Sequence, residues 1–311
     1  MTQPKALGII NEVRKAIVGK DTVVCKVLMA ILAGGHVLLE DNPGVGKTTL
    51  ALAFSRAMSM SFTRMQFTPE TMPADVVGYT MYNQEFGRME YRPGAVMNNL
   101  FLADEINRTS AKTQSALLEV MEEGQVTVDG VSYRLSTPFA VIATQNPLGT
   151  AGTQPLPESQ LDRFMLRLSI GYPAEDQEVK ILKQTEGVRP LEGVLPAATL
   201  EEVERMIAEA ATVYMADDLY RYVAALCAAT REDPALRLGA SPRAGAALVR
   251  ACRASAWMGG RDYVVPADIN LLFYDVMGHR VVLEPQAKMS GQSARSVLEK
   301  VVGQVPAPKL I

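Results

Sequence analysis

Apolar residues recur at helical spacing over residues 5–17 and again over 21–33, with Val18-Gly19-Lys20 breaking the pattern between them. The period then changes. "HVLLE" (36–40) is a short apolar run of the kind a buried strand shows, and the chain after Gly46 returns to a helical period. "FTRMQF" (62–67), "NLFLADE" (99–105), "FAVIATQNP" (139–147) and "FMLRLSI" (164–170) read as four more strands. Between Thr68 and Asn99 the chain is interrupted by Pro69, Pro73, Gly78, Gly87, Pro93 and Gly94, and this segment is expected to be irregular. A helix at about 110–123 leads into "GQVTVDGVSYRL", where Asp129-Gly130 between alternating residues predicts a β-hairpin. After the connector "EGVRPLEGVLP" (186–196), helical periods fill about 198–211, 216–230, 241–257 and 266–277. Five apolar strands alternating with helices predict an α/β fold, a parallel sheet with helices on both faces. The chain is expected to divide into an α/β domain over 1–187 and a small all-helical domain over 198–311. No internal repeat or low-complexity segment is present.

Composition narrows the function classes. The 311 residues suffice for one large domain or two ordinary ones, and 48% hydrophobic with 21% charged residues is ordinary globular usage. A net charge of −3 gives no general attraction for nucleic acid, although a local basic channel is compatible with it. Cys25, Cys227 and Cys252 are odd in number and embedded in apolar helical patterns, so they read as reduced core residues. With only His36 and His279, no His/Cys cluster has metal-ligand spacing. The N-terminal segment mixes charge with its apolar residues and lacks a signal-peptide core, and no apolar run reaches the ~20 residues that span a bilayer. A cytoplasmic protein without membrane insertion is expected.

Four stretches carry chemistry. In "EDNPGVGKTTL", Gly44 and Gly46 permit a tight backbone path that converges N–H groups at a helix N-terminus. Lys47 can reach the β- and γ-phosphates of a nucleotide, and Thr48 can ligate Mg²⁺. The usual pattern has glycine six residues before the lysine; here Asp41 stands there. Read as a strand exit, position 41 should tolerate glycine. In "LFLADE", Asp104 can hold Mg²⁺ through water and Glu105 can act as general base on an attacking water. That pair favours hydrolysis over transfer; either acid alone would also serve as a helix cap. In "VIATQNP", Asn146 can orient the water or contact the γ-phosphate, or simply start a turn before Pro147. In "LPESQLDRFMLRL", Arg163 lies at the far end of the sheet from the loop. It reads either as a surface residue paired with Asp162 or as an arginine finger for a neighbouring subunit. Blander readings suit other residues. His279 and Arg280 read as structural, Trp257 and Met258 as core, and Arg108 as a surface ion pair or an interface residue.

The stretches "EDNPGVGKT", "LFLADEINRTSAKTQSALLEVMEEGQVTVDG", "VIATQNP", "PLPESQLDRFML" and "GASPRAGAALVRACRASAW" together resemble the MoxR family of AAA+ ATPases over essentially the whole chain. The resemblance implies a P-loop NTPase (AAA+) fold: a five-stranded parallel sheet followed by a helical lid. It implies ATP and Mg²⁺ as cofactors, with nucleotide contacts from Asn42, Pro43, Gly44, Val45, Gly46, Lys47, Thr48 and Thr49, and Thr48 and Asp104 on the metal. Asp is normal in the family at position 41. Asn146 corresponds to sensor 1, Arg163 to the arginine finger and Arg243 to sensor 2, its cis or trans placement left open. Val18 and Gly19 are implied to line the adenine by backbone contacts. Residues 68–98 correspond to the insert in helix 2 that marks the clade, departing from its usual pattern at "RPGAVMNN".

The family further implies a homo-oligomeric ring, a hexamer, with nucleotide at subunit interfaces, and a chaperone-like role in remodelling or maturing client complexes. A partner bearing a von Willebrand factor A domain is expected. Three rival readings stay open. The ATPase subunit of a metal chelatase shares most motifs. A DNA-remodelling motor would want basic hairpins, whereas "GQVTVDGVSYRL" offers only Arg134. A nucleotide-gated scaffold would not need the full set of Lys47, Asp104, Glu105 and Asn146.

Overall fold

The structure is a computed structural model; it describes residues 3–146, 154–184 and 190–308. In chain order, helices α1 (Pro4–Ala16) and α2 (Asp21–Leu32) precede strand β1 (Val37–Glu40), helix α3 (Lys47–Ala57) and strand β2 (Phe62–Gln66). A short helix α4 (Pro73–Val77) leads to strands β3 (Gly78–Asn83), β4 (Arg88–Pro93) and β5 (Leu100–Asp104). Helix α5 (Ala111–Glu123), the hairpin β6 (Gln125–Val128) and β7 (Val131–Arg134), and strand β8 (Ala140–Gln145) follow. Then come α6 (Glu158–Leu161), β9 (Leu166–Leu168) and α7 (Glu175–Gln184). The remainder is mainly helical: α8 (Leu200–Ala211), α9 (Asp217–Glu232), α10 (Pro242–Met258), α11 (Pro266–Met277), α12 (Pro285–Met289) and α13 (Ala294–Gln304). A small ribbon of β10 (Leu236–Leu238) and β11 (Val282–Leu283) joins them.

The main sheet is parallel, with strand order β2-β5-β8-β1-β9. Its central strands are buried on both faces, which is why they read as continuous apolar runs. The period of two still decides which core each residue joins. Val37, Leu39, Leu100, Leu102, Ala140 and Ile142 face one cluster, while Leu38, Phe101, Ala103, Val141 and Ala143 face the other. The first cluster runs continuously from α1–α3 into the C-terminal helices, so sheet and lid share one core. The second is closed by α4 and α5.

Several helix starts follow directly from capping chemistry. Ser110, Thr199, Ser241 and Ser293 each accept the amide three residues on, at the N-caps of α5, α8, α10 and α13. The hairpin expected at Asp129-Gly130 is present, with both residues at positive φ, 49° and 78°. The segment 68–99 differs from its expectation. It holds α4 and the antiparallel hairpin β3–β4; Pro73 opens α4, Gly78 and Pro93 mark the hairpin's ends and Gly87 its turn. The end of the connector is docked: Leu195 N donates to Glu12 Oε2 at 2.9 Å, and just beyond it Ala197 N donates to Ala57 O at 2.8 Å.

The lid is stitched to the β9 edge by His279 and Arg280, both read from sequence as structural, and by Arg167. Arg280 pairs with Asp162 at 2.6 Å and donates to the carbonyls of Phe164 and Met165 at 2.6 and 3.1 Å. His279 Nε2 donates to Phe164 O at 2.8 Å, and Arg167 Nη2 donates to Gly278 O at 2.9 Å. Asp162 is therefore the partner of Arg280, and the alternative pairing with Arg163 does not occur. The three cysteines are free, and Trp257 and Met258 are buried, as expected. Among the described residues, no helix is long and apolar enough to cross a membrane.

Candidate functional site

β1 ends at Glu40, and the chain turns through Asp41 to Gly46 before α3 begins. Gly44 and Gly46 hold φ of 85° and 93°, in the left-handed region that glycine enters without steric cost. Gly46 is the N-cap of α3 and supplies no side chain, so the first N–H groups of that helix lack a side-chain cap. Such an end attracts phosphate through its free donors and the helix dipole together. Lys47 reaches back over the loop, its Nζ 2.6 Å from Asp41 O and 3.2 Å from Asn42 O. Burial lowers its pKa, opposed by the charges of Asp41, Asp104 and Glu105. A phosphate group would supply the counter-charge that this half-buried ammonium lacks.

A cavity of about 370 Å³ opens beside the loop. Pro43, Gly44, Gly46, Lys47, Thr48 and Thr49 form one wall; Asp104, Glu105 and Asn146 come from the carboxyl ends of β5 and β8. This is where open α/β sheets bind ligands, outside the strand ends and beside the strand at which the order reverses. Asp104 Oδ1 accepts from Thr144 Oγ1 at 2.6 Å, and Oδ2 accepts from Arg64 Nη2 at 2.8 Å and Nε at 3.1 Å. Glu105 sits at φ 57°, ψ 48°, strained for a side chain of its kind, and its N–H donates to the same Thr144 hydroxyl at 2.8 Å. Thr144 thus fixes both acids, and Arg108 holds the Glu105 carboxylate at 2.8 Å. Arg108 is accordingly the ion-pair partner of Glu105. Asn107 Nδ2 donates to Asn146 O at 3.3 Å, tying the end of β8 to the turn after β5.

Arg64, Gln66 and Thr144 are functional candidates that motif reading misses. Arg64 and Gln66 also line the cavity. Thr144 was signalled only by being a hydroxyl inside an apolar strand, where a buried polar group needs a partner. Val18, Gly19, Asn42 and Val45 do not line the cavity. Asn42 turns its amide to the Tyr172 hydroxyl at 3.3 Å, and Val45 packs on the core. Val18 and Gly19 lie in a turn next to the loop. A Cβ on Gly46 would stand 4.0 Å from Ile17 Cδ1, and one on Gly19 would overlap the Gln177 side chain.

Arg163 and Arg243 are elsewhere. Met165 N bonds to His36 O at 2.8 Å, which places Arg163 at the amino end of the sheet. The loop is at the other end, past four residues of β1 at ~3.3 Å each, on the order of 13 Å away. Arg243, in the first turn of α10, shares a carboxylate with Arg163: Glu122 lies 3.1 Å from Arg163 and 2.8 Å from Arg243.

The chain is also similar to known proteins over its length. Residues 36–166 match the model of the ATPase family associated with various cellular activities (AAA), and residues 228–301 match the AAA lid domain. The chain is 44% identical over 299 residues to YeaC of Bacillus subtilis (strain 168), covering 96% of this chain and 93% of that protein. It is 39% identical over 312 residues to Chaperone MoxR1 of Mycobacterium tuberculosis, covering 97% and 82%. It is 34% identical over 326 residues to Protein MoxR of Methylorubrum extorquens, covering 96% and 94%. The crystal structure of a candidate ATPase from Cytophaga hutchinsonii superposes with a TM-score of 0.91 at 37% identity, over 98% of this chain and 95% of that one. A P-loop cavity with paired acids, on an α/β sheet capped by a helical lid, thus goes with full-length kinship: the chain belongs to the MoxR family of AAA+ ATPases and is an ATP-hydrolysing enzyme.

Proposed function

We propose that the protein works as a homo-oligomeric ring, a hexamer, that hydrolyses Mg·ATP at its subunit interfaces to drive chaperone-like remodelling or maturation of client protein complexes. A partner with a von Willebrand factor A domain delivers those clients. Residues 1–187 form the nucleotide-binding domain in this reading, and 198–311 the lid. Lys47 and the loop amides hold the phosphates. Glu105 accepts a proton from the attacking water as its oxygen bonds to the γ-phosphorus and the bond to the β-phosphate oxygen breaks, giving ADP and phosphate. Asn146 orients that water.

The donor chemistry fits Mg²⁺. Thr48 and Asp104 offer hard oxygens, and the described residues gather no group of three or more His, Cys, Asp or Glu that would bind a metal alone. A magnesium ion bound chiefly by nucleotide phosphates, with one or two protein oxygens, suits such a site. Bound there, it would neutralise phosphate charge.

One observation carries the oligomeric part of the reading. The cavity gathers a lysine, two acids and an asparagine, while Arg163 and Arg243 stand together at the opposite end of the sheet. A protomer therefore has half of a site at each end, and a neighbour would complete it. The chaperone-like part is supported by kinship with Chaperone MoxR1 and by the β3–β4 hairpin. That hairpin exposes Tyr79, Met81, Tyr82, Phe86 and Met89, each between 40% and 61% accessible. An apolar patch of this kind marks a contact surface.

Mixing two crippled variants tests the trans arrangement. Arg163→Ala keeps its base and offers no finger; Glu105→Gln offers a finger and has no base. Each alone should lose most turnover, roughly 10²-fold or more. In mixed rings an Arg163→Ala site facing a Glu105→Gln neighbour has both groups, so activity should return. If mixed rings form and nothing returns, the trans assignment of Arg163 is wrong.

A further inference from the structure

The end of the molecule remote from the P-loop has a cavity of about 220 Å³ in which four guanidiniums, of Arg163, Arg243, Arg250 and Arg280, meet the two carboxylates of Glu122 and Asp162. Asp162 is committed elsewhere: it pairs with Arg280 at 2.6 Å and accepts from Ser241 Oγ at 3.1 Å. Glu122 is left for Arg163 and Arg243 and divides itself between them. Its Oε2 lies 3.1 Å from Arg163 Nη2 and its Oε1 lies 2.8 Å from Arg243 Nη2.

Three separate elements meet in that bridge. Glu122 is in the last turn of α5, Arg163 precedes β9, and Arg243 opens α10 of the lid. The like charges in the cavity are felt. Burial and then the charge of Arg243 push the Arg250 pKa down; for Arg280, burial is the largest cause and the charges of Arg243 and Arg250 add to it. Arg163 Nε is buried without a hydrogen-bond partner, so Glu122 is the one acid that fixes this side chain among the described residues. Remove that acid, and repulsion would drive the two guanidiniums apart. With it, each keeps most of its five N–H donors for other oxygens.

We propose that Glu122 is a positioning residue: its carboxylate clamps Arg163 and Arg243 into a single two-armed unit that is presented to the nucleotide of the adjoining subunit. The proposal rests on the trans reading of those arginines. Glu122 touches no substrate in it. A bridging carboxylate holds both arms at a fixed separation before the phosphates arrive, so less ordering remains for the transition state. An ordinary exposed ion pair would behave otherwise, since cutting one leaves turnover unchanged.

The experiment uses the full chain with Glu122→Ala and the isosteric Glu122→Gln. Turnover should fall roughly 10- to 100-fold in Glu122→Ala, the cost of misplacing reacting groups by about an ångström. Glu122→Gln, which keeps one acceptor and loses the charge, should fall between this variant and the parent protein. Nucleotide affinity should hold in both, because each subunit's own loop is untouched. In mixed rings Glu122→Ala should restore activity with Glu105→Gln, whose arginines are still clamped. With Arg163→Ala it should restore nothing, since both variants damage the same donor face. Unchanged or raised turnover overturns the clamp. So does failure of Glu122→Ala to rescue Glu105→Gln where Arg163→Ala succeeds, a pattern that leaves the trans reading intact. If Arg163→Ala itself fails, the trans reading falls and takes the clamp with it. A subunit that merely misfolds would rescue neither partner, and thermal unfolding of Glu122→Gln separates that case.

Discussion

Asp41 occupies the position where a phosphate loop commonly opens with glycine, and its side chain turns away from the phosphate side altogether. It is 6% exposed, and its carboxylate accepts from Ser169 Oγ at 2.7 Å and from the amides of Ile170 and Gly171 at 2.5 and 3.0 Å. Those bonds fasten the exit of β9 to the exit of β1. Asp41→Gly therefore should not be tolerated, against the expectation from the sequence. It removes charge-assisted hydrogen bonds and leaves a buried amide unpaired, at a cost of roughly 2–3 kcal/mol. A thermal midpoint several degrees below the parent protein's checks this, and an unchanged midpoint would contradict it. The same scale shows what motifs can reveal of a site. Lys47, Thr48, Asp104, Glu105 and Asn146 were legible because each belongs to a short stretch whose strand-to-loop context is local. Arg64 and Thr144 were not, because only the pairing of Gln66 with Asp104 and of Ala103 with Ala143 brings them to the carboxylates.

Among the elements, the β3–β4 hairpin departs most from its sequence reading, and for a definable reason. A strand on a core announces itself by alternation, but this ribbon has partly or fully exposed residues on both faces along most of its length. Its attachments lie at its base. The Tyr91 ring stacks on Tyr133 with centroids 3.9 Å apart, the Tyr91 hydroxyl donates to Val77 O, and the Thr80 hydroxyl donates to Asp129. Gly78, at φ 93°, has no room for a Cβ, which would meet Arg92 O at 2.4 Å. The central strands were legible by contrast, since burial on both faces leaves nothing but apolar residues. Removing residues 81–90, with a short turn in their place, keeps Tyr91, Thr80 and the whole P-loop cavity. Basal ATP turnover should then stay near that of the parent protein, while remodelling that depends on a partner should fail. Partner-dependent activity that survives the shortening would show that the exposed tip is not a client surface.

At the scale of the whole molecule, sheet and lid share one core and the lid is sewn to the sheet's edge, so a proton taken up at that seam should affect the entire fold. His36 lies there, immediately before β1. Its Nδ1 accepts from Val141 N at 3.1 Å, which leaves the proton on Nε2, and Nε2 donates to Met121 O at 3.1 Å. Burial is the main cause that takes its pKa down from 6.5 to about 4, with the Met121 carbonyl opposing and the Arg250 charge assisting. His279 moves the same way, chiefly through burial and next through Arg280. Above pH 6.5 both residues are neutral whether the chain is folded or not, and they add no pH dependence. Between 6.5 and about 4 the unfolded chain takes up protons that the folded chain refuses, so stability falls as the pH falls. For His36 alone that window corresponds to on the order of 3 kcal/mol. Unfolding midpoints should stay level from pH 7.5 to about 6.5 and decline from there down to 5. His36→Asn, which cannot titrate, should start lower and decline less steeply. Equal slopes for the two proteins would mean that His36 accepts its proton inside the fold and that this seam is more open to water than its packing indicates.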